Sequence, residues 1–297
     1  MIYFIIVCYQ SERWLDRCLA TVFDCGSSDV SCLLIDNAAM TVADILALQK
    51  RYPGVRYIRT GSNLNYGGGN NLGIEIALSE GAEFISLINP DTWFEPDWLS
   101  PLIEAFKEYP NFGILSPFQL QYNNHEPALW SVGNILRGRS LKEVRKESLV
   151  ELPFTEGSCM VIRRSVLEKI GGFDPIYDMY YEEIDLCRRA RRAGFRVGIV
   201  TTAFYHHFGS GNTTDIIQQQ QRNITIDKSQ FISILTCPEY SWRYNHLRVL
   251  YWLLRRVGQW LTGQRPYFLH LLKSIRHKYE EDYSMLYHKW QRDRLIA

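Results

Sequence analysis

The sequence predicts an α/β protein with a mostly parallel sheet, and three observations point there. Short apolar, β-branched runs alternate with segments of helical period through the N-terminal third of the chain. The intervals between runs leave room for the crossover helix that parallel strands require. Three runs stop at polar loops, Tyr9-Gln10-Ser11-Glu12, Asp36-Asn37 and Asn89-Pro90-Asp91. These are the carboxyl ends where open α/β sheets bind ligands.

In chain order, residues 3–8 read as a buried strand. Residues 11–23 follow as a helix with Trp14, Leu15, Cys18, Leu19 and Val22 on one face and Ser11 as N-cap. Strands are expected at 32–35, 55–59 and 83–88, and helices at 42–52, 70–79 and 96–109. Residues 116–155 are less regular, and the charged stretch 137–147 reads as a mobile loop. Strand character returns over 155–163. A charged helix is expected over 182–193, stopped by Gly194, and a strand over 196–200. Beyond about residue 215 the pattern turns to helices rich in Gln, Arg and aromatics. The expected organisation is a catalytic domain over 1–215 and a helical, basic extension over 216–297.

The chain has 297 residues, enough to bury a sizeable core, and a net charge of +1. From Arg222 onward thirteen Lys/Arg face six Asp/Glu, a surplus of seven that leaves −6 on residues 1–221. A basic tail on an acidic body suggests an anionic surface as partner, such as a membrane face or a charged glycan. The apolar start, MIYFIIVCYQ, lacks a basic leader and a small-residue cleavage site, so no signal peptide is expected. The seven cysteines form no CxxC pair and several sit in apolar runs, which fits reduced thiols and a cytoplasmic location.

Several segments carry chemistry. NLNYGGGNNLG, residues 63–73, reads as a glycine-rich loop entering a helix, where an anion is favoured. Asn71 stands where GxGxxG needs its third glycine, which disfavours a nicotinamide cofactor. A tight turn with a capped helix explains the same stretch equally well. Asp36-Asn37 and Asn89-Pro90-Asp91 fit Asx turns, yet one carboxylate with substrate phosphates is a common way to hold Mg²⁺. Glu182, Glu183 and Asp185 start a helix whose end carries four arginines, a pattern the helix dipole alone accounts for. The preceding GGFDPIYDMYY suits a loop that holds a carboxylate in a cleft. His206-His207 are expected just past a strand end; such a pair is usually structural or solvated, and beside a metal-binding carboxylate one of them would ligate the ion or touch a diphosphate.

Taken in order, FIIVCYQSERWLDRCL, LLIDNA, NLNYGGGNNLGIEIA, LINPDTWFEPDWL, GSCMVIRRSVLEKIGGFDPIYDMYYEEIDLCRRARRAGFRV and FYHHFGSG resemble the family 2 glycosyltransferases, especially the rhamnosyltransferase-like branch. The resemblance spans about residues 2–212. It implies a GT-A fold, a Rossmann-like, mostly parallel central sheet flanked by helices, here with a helical C-terminal extension. It implies a nucleotide-sugar donor and a divalent cation, Mg²⁺ or Mn²⁺. Carried over by position, Asp36 would contact the base or ribose, with Tyr9 and Glu12 in the same pocket. Asn63, Gly68, Gly69, Asn70 and Asn89 would lie near the nucleotide. Asp91 would bind metal, joined by His206 or His207. Glu183 would be the general base, with Asp185 in reserve. Asn89 departs from the first Asp of the family's metal motif, Gln10 from the usual Asn, and Glu183 from the commoner Asp.

The expected function is an inverting transfer of a sugar of the dTDP-rhamnose or UDP-hexose type to a glycan or lipid-linked saccharide in cell-surface polysaccharide synthesis. The basic C-terminal segment, including LRVLYWLLRRVGQWL, suits peripheral contact with the cytoplasmic membrane face, packing on the catalytic domain or homodimerisation. No nucleic-acid partner is expected. A glycoside hydrolase also uses paired carboxylates but would leave Asp36 and Asp91 idle. A nucleotide-sugar- or glycan-binding protein without catalysis would keep the pocket and lose the base.

Overall fold

The computed structural model describes residues 1–37, 40–136, 138–209 and 216–296, the side chains of Glu12 and Ile216 excepted. The chain divides into two compact units, one of Met1–Phe173 with Leu186–Ser210, the other of Asp174–Asp185 with Gly211–Ala297. The second unit thus takes a segment out of the expected catalytic region. The expected boundary at 215 falls among residues outside the described ones.

The first unit is built on one sheet. Its strands are β1 (Ile2–Cys8), β2 (Val30–Asp36), β3 (Val55–Arg59), β4 (Phe84–Ile88), β5 (Thr92–Phe94), β6 (Phe112–Gln121), β7 (Leu149–Glu151), β8 (Cys159–Arg163) and β9 (Arg196–His207). The order is β3-β2-β1-β4-β8-β6-β9-β5, with β7 also on β9. Strands β3, β2, β1 and β4 run parallel, as the alternating pattern requires, and the antiparallel β8 follows. Helices α1 (Glu12–Val22), α2 (Val42–Arg51), α3 (Asn65–Ser79) and α4 (Ser100–Glu108) supply the connections. Shorter helices are α5 (Leu129–Ser131), α6 (Leu141–Val144) and α7 (Arg164–Ile170), and α8 (Glu182–Arg192) continues from one unit into the other.

Both faces of the sheet are buried. Phe4, Ile6 and Cys8 of β1 pack with α1 and α4 on one side, while Tyr3 and Ile5 pack with α3 and the Leu186–Ala190 stretch of α8 on the other. This is why the central strands read as unbroken apolar runs. Among the described residues all seven cysteines are buried thiols, six of them among these side chains.

Three local readings change. The glycine-rich stretch is the first turns of α3, which begins at Asn65 with a left-handed φ of 60°. A Cβ on Gly69 would stand 2.8 Å from Val7 Cγ1 and one on Gly73 2.5 Å from Ile5 Cγ2, so these glycines let α3 lie close on β1. The charged stretch before β7 is ordered: the Ser140 side chain accepts the Glu143 N–H at 3.3 Å, the Glu143 carboxylate accepts the Ser140 N–H at 2.7 Å, and Val144 is fully buried. Arg137 lies outside the described residues. Strand β9 runs on to His207, because Phe204–His207 pair with Phe118–Gln121 after a register shift that sets Thr201–Ala203 between the two paired stretches.

The second unit holds α9 (Ile216–Leu235), α10 (Trp242–Leu261) and α11 (Phe268–Arg294). Phe231, Ile232, Leu235, Trp252, Leu271 and Leu286 form its core, with Ile176 and Tyr177 from the 174–185 segment. Among the described residues no helix is long and apolar enough to cross a membrane.

Candidate active site

Parallel pairing sets three polar strand ends side by side. Cys8 pairs with Asp36, and Ile6, two residues earlier, pairs with Ile88, so the loops at Tyr9, Asn37 and Asn89 leave the same edge of the sheet. The Asp36 carboxylate is fully buried; it accepts the Tyr57 hydroxyl and the Met40 N–H (3.4 Å) and has Arg59 at 3.9 Å. Burial, followed by the hydrogen bond and charge of Asp36, pushes the Tyr57 hydroxyl well above the ordinary tyrosine range. Asn37 donates from Nδ2 to the Asn65 carbonyl at 3.0 Å, tying the start of α3 to the end of β2.

The remaining expected nucleotide contacts lie around this edge. Tyr9 is exposed, next to Gln10 with a left-handed φ of 53°. Asn63 closes an Asx turn by accepting the Asn65 N–H at 2.8 Å. Gly68 and Gly69 are helical, and buried Asn70 donates to the Tyr66 carbonyl at 3.0 Å. Its Oδ1 is buried with no hydrogen-bond partner, an acceptor left for a ligand to satisfy. The Glu12 side chain lies outside the described residues. The Asn89 carbonyl accepts the Thr92 hydroxyl at 2.7 Å, which holds the turn that presents Asp91.

Asp91 precedes β5, which pairs with the end of β9 so that Thr92 faces His207. His207 Nε2 stands 3.3 Å from Asp91 Oδ1, and Phe208 N–H donates to the Asp91 carbonyl at 3.0 Å. Burial raises the Asp91 carboxyl, but the hydrogen bond and charge of His207, with backbone N–H groups, bring it below the ordinary range. Burial lowers the His207 imidazole, yet the hydrogen bond and charge of Asp91 and the charge of Glu156 leave it raised.

One carboxylate and one imidazole suit a divalent cation that takes its other ligands from diphosphate and water. Gln119 supports this fit. Its Nε2 lies 3.3 Å from His207 Nδ1 while its Oε1 is buried without a partner. Half a turn of this amide lets Oε1 accept the Nδ1 hydrogen and leaves the Nε2 lone pair on the Asp91 side.

The structure does not bring His206 to Asp91. Neighbouring strand residues point to opposite faces, and His206 Nε2 lies 2.8 Å from Glu95 Oε1. Sequence reasoning placed both histidines beyond the strand, where alternation did not apply. It also missed Glu95, Gln119 and Glu156, isolated polar residues with no motif around them.

Glu182, Glu183 and Asp185 belong to the second unit. Tyr180 and Tyr181 hold left-handed φ values of 66° and 69° and turn the chain into α8. Burial and the charge of Glu183 push the Glu182 carboxyl up to about 8, and burial raises Glu183 as well. Asp185 is fully buried with its Oδ1 2.8 Å from Lys289 Nζ. Its charge is matched by that ammonium.

Known structures define the class. The crystal structure of GalNAc-T7 with UDP, GalNAc and Mn²⁺ matches with a TM-score of 0.57 at 14% identity, over 90% of this chain and 58% of that one. The crystal structure of S. aureus TarS matches with a TM-score of 0.56 at 11% identity, over 84% of this chain and 42% of that one. The fold is that of the GT-A glycosyltransferases. The model of glycosyl transferase family 2 matches residues 3–171, and the chain belongs to that family. It is 30% identical over 230 residues to the N-acetylglucosaminyl-diphospho-decaprenol L-rhamnosyltransferase of Mycobacterium tuberculosis, covering 68% of this chain and 75% of the relative. It is 30% identical over 202 residues to the low-salt glycan biosynthesis hexosyltransferase Agl10 of Haloferax volcanii (65% of this chain, 62% of that one), and 28% identical over 230 residues to the rhamnosyltransferase WbbL of Escherichia coli (70% and 83%).

Proposed function

We propose that the protein is a metal-dependent, inverting hexosyltransferase. It moves a sugar from a nucleotide donor of the dTDP-rhamnose or UDP-hexose type to a glycan or lipid-linked acceptor in cell-surface polysaccharide synthesis. The observation that carries this reading is the Asp91–His207 pair, a buried carboxylate beside a half-buried imidazole, at the carboxyl end of the sheet in a chain of this family. Asp36 and the loops at Tyr9, Glu12, Asn63, Gly68, Gly69, Asn70 and Asn89 receive the nucleotide. Asp91 and His207 would hold a divalent cation, Mg²⁺ or Mn²⁺, which when bound would supply countercharge to the diphosphate.

Glu183 takes the proton of the acceptor hydroxyl, and burial raises its proton affinity above that of an ordinary carboxylate. The hydroxyl oxygen bonds to the anomeric carbon opposite the leaving group as the bond to the nucleoside diphosphate breaks. Configuration therefore inverts. Asp185 is the poorer base candidate, because it is fully buried with its carboxylate 2.8 Å from Lys289 Nζ.

A lipid-linked acceptor is supported by α10. Its inner face buries Asn245, Val249, Trp252 and Arg256, while Leu247, Leu250, Tyr251 and Leu254 are exposed beside Arg248 and Arg255. An apolar stripe flanked by arginines suits the surface of an anionic bilayer. The decaprenol-linked saccharide in the name of the mycobacterial relative agrees with this.

Thermal melting with UDP, dTDP and GDP, each with Mg²⁺, Mn²⁺ or chelator, tests the donor site. One nucleotide should raise the melting point only with metal, and Asp91→Asn should abolish the rise. Glu183→Gln should keep the rise and lose transfer. No response to any nucleotide refutes the reading, and unchanged turnover in Glu183→Gln refutes the assigned base.

A further inference from the structure

We propose that Glu95, His125 and His206 form a second cation site, separate from Asp91 and His207, that takes a dication of the zinc class. The donor atoms of the three side chains lie within 4.8 Å of one another. Glu95 Oε1 is the hub, 2.8 Å from His206 Nε2 and 3.5 Å from His125 Nδ1. His206 is buried, Glu95 half-buried and His125 exposed. Strand alternation makes the site distinct: His206 and His207 are consecutive in β9 and project to opposite faces.

The hydrogen bonding of His206 points to a cation. Its Nδ1 lies 2.6 Å from the Gln121 carbonyl, which can only accept, so Nδ1 carries a hydrogen. The Nε2 of that tautomer presents a lone pair to the Glu95 carboxylate. Two acceptors do not meet without a proton or a cation between them; a ring proton fits the pair as it stands, and a tetrahedral ion would part the two atoms by about 0.6 Å. His125, a further nitrogen donor at the same oxygen, favours the metal ion. A ring whose far nitrogen donates to a carbonyl is also how ligating histidines are held. Trp93 fixes the ring further, stacking on it at 5.5 Å and 8°.

The donor set is two imidazoles and one carboxylate, which suits Zn²⁺ and Co²⁺ over Mg²⁺ and Mn²⁺. Ligand atoms about 2.1 Å from zinc in a tetrahedron stand roughly 3.4 Å apart, so the widest pair closes by at most about 1.4 Å. His125, on the exposed turn after β6, has the freedom to move. The site opens on a cavity of about 450 Å³ that Arg17, Tyr122, Asn123 and Asn124 also line. The fourth position is therefore open to water or an anion. A bound ion would pin the turn after β6 to β5 and β9.

The test is Zn²⁺ titration of the full chain after chelator treatment, followed by calorimetry, with Co²⁺ absorption reporting nitrogen ligation. Wild type should bind Zn²⁺, His125→Ala should weaken that binding roughly 100-fold, and Asp91→Asn should leave it unchanged. His125 is exposed, so its removal spares the fold, and circular dichroism confirms this. Equal Zn²⁺ affinity in wild type and His125→Ala overturns the proposal. So does binding lost in Asp91→Asn and kept in His125→Ala, which would place the ion at Asp91 and His207. The outcome is independent of the nucleotide experiment.

Discussion

Lys289→Met should cost the second unit about 3–5 kcal/mol at neutral pH. Lys289 is 3% exposed, with Nζ 2.7 Å from Asp293, 2.8 Å from Asp185 and 3.2 Å from Asp174. Arg292 adds a second cation, which hydrogen-bonds Asp174 and lies 3.0 Å from Asp293. Three carboxylates thus gather here, and Lys289 reaches all three. Methionine keeps the volume and removes the ammonium that faces all three buried carboxylates. Breaking a single buried pair by removing one partner costs about 3–5 kcal/mol, so this range is a floor for a three-way contact. With a urea m-value of about 2 kcal/mol/M, the midpoint falls by about 2 M. Four tryptophans of the second unit, Trp242, Trp252, Trp260 and Trp290, report the transition by fluorescence.

The pH dependence supplies a sharper check. In the wild type Asp174 lies below its ordinary range: burial raises it, and Lys289 and Arg292 outweigh burial. Its contribution is present above its unfolded pKa of 3.8 and is lost as pH falls through the lowered folded value. Without Lys289 the same burial acts unopposed by its largest counterweight. The variant should therefore gain stability relative to wild type as pH falls from 7 toward 5. A loss below 1 kcal/mol, with a pH profile parallel to wild type, would refute the reasoning.

Gly73→Ala would gain about 1 kcal/mol from helix propensity but sets a Cβ 2.5 Å from Ile5 Cγ2, and overpacking of about 1–3 kcal/mol should win, read as a lower urea midpoint. Glu182 has a folded pKa raised from 4.5 to about 8, so the stability of its protonated form is full below about pH 4.5 and lost as pH rises to about 8. Glu182→Gln should accordingly outlast wild type by a margin that grows between pH 5 and 8 in melting scans. Leu250→Glu with Leu254→Glu should abolish sedimentation with anionic vesicles while leaving the melting point within a few degrees, since both side chains are exposed.

Which parts of this were legible in the sequence follows from the range of the interactions involved. The run Phe4, Ile5, Ile6 is buried on both sides, so its composition alone marks a central parallel strand. Asn89-Pro90-Asp91 ends β4 where turn chemistry says it must. The C-terminal half of β9 was hidden, because its pairing with β6 resumes only after a register shift no local pattern announces. The glycine-rich start of α3 reads as a loop, since the reason for Gly69 and Gly73 is the distance to Val7 and Ile5 across the sheet. The cluster around Lys289 joins positions more than a hundred residues apart, and no spacing rule reaches that far.

The histidine pair shows how one such hidden feature governs the reading of a site. Treated as loop residues, His206 and His207 are interchangeable neighbours of Asp91. Placed in a strand, they cannot share a face, so only one can meet the carboxylate of the preceding turn. His207 does so because β5 pairs antiparallel with β9 and sets Thr92, the residue after Asp91, opposite it. His206 is thereby turned to Glu95, the residue following β5 on the same chain segment. A short stretch, Asp91 to Glu95, thus supplies a carboxylate to each face of β9. Alternation along β5 would set Asp91 and Glu95, four residues apart, on one face; Asp91 meets His207 instead because it lies in the turn before the strand, outside that alternation.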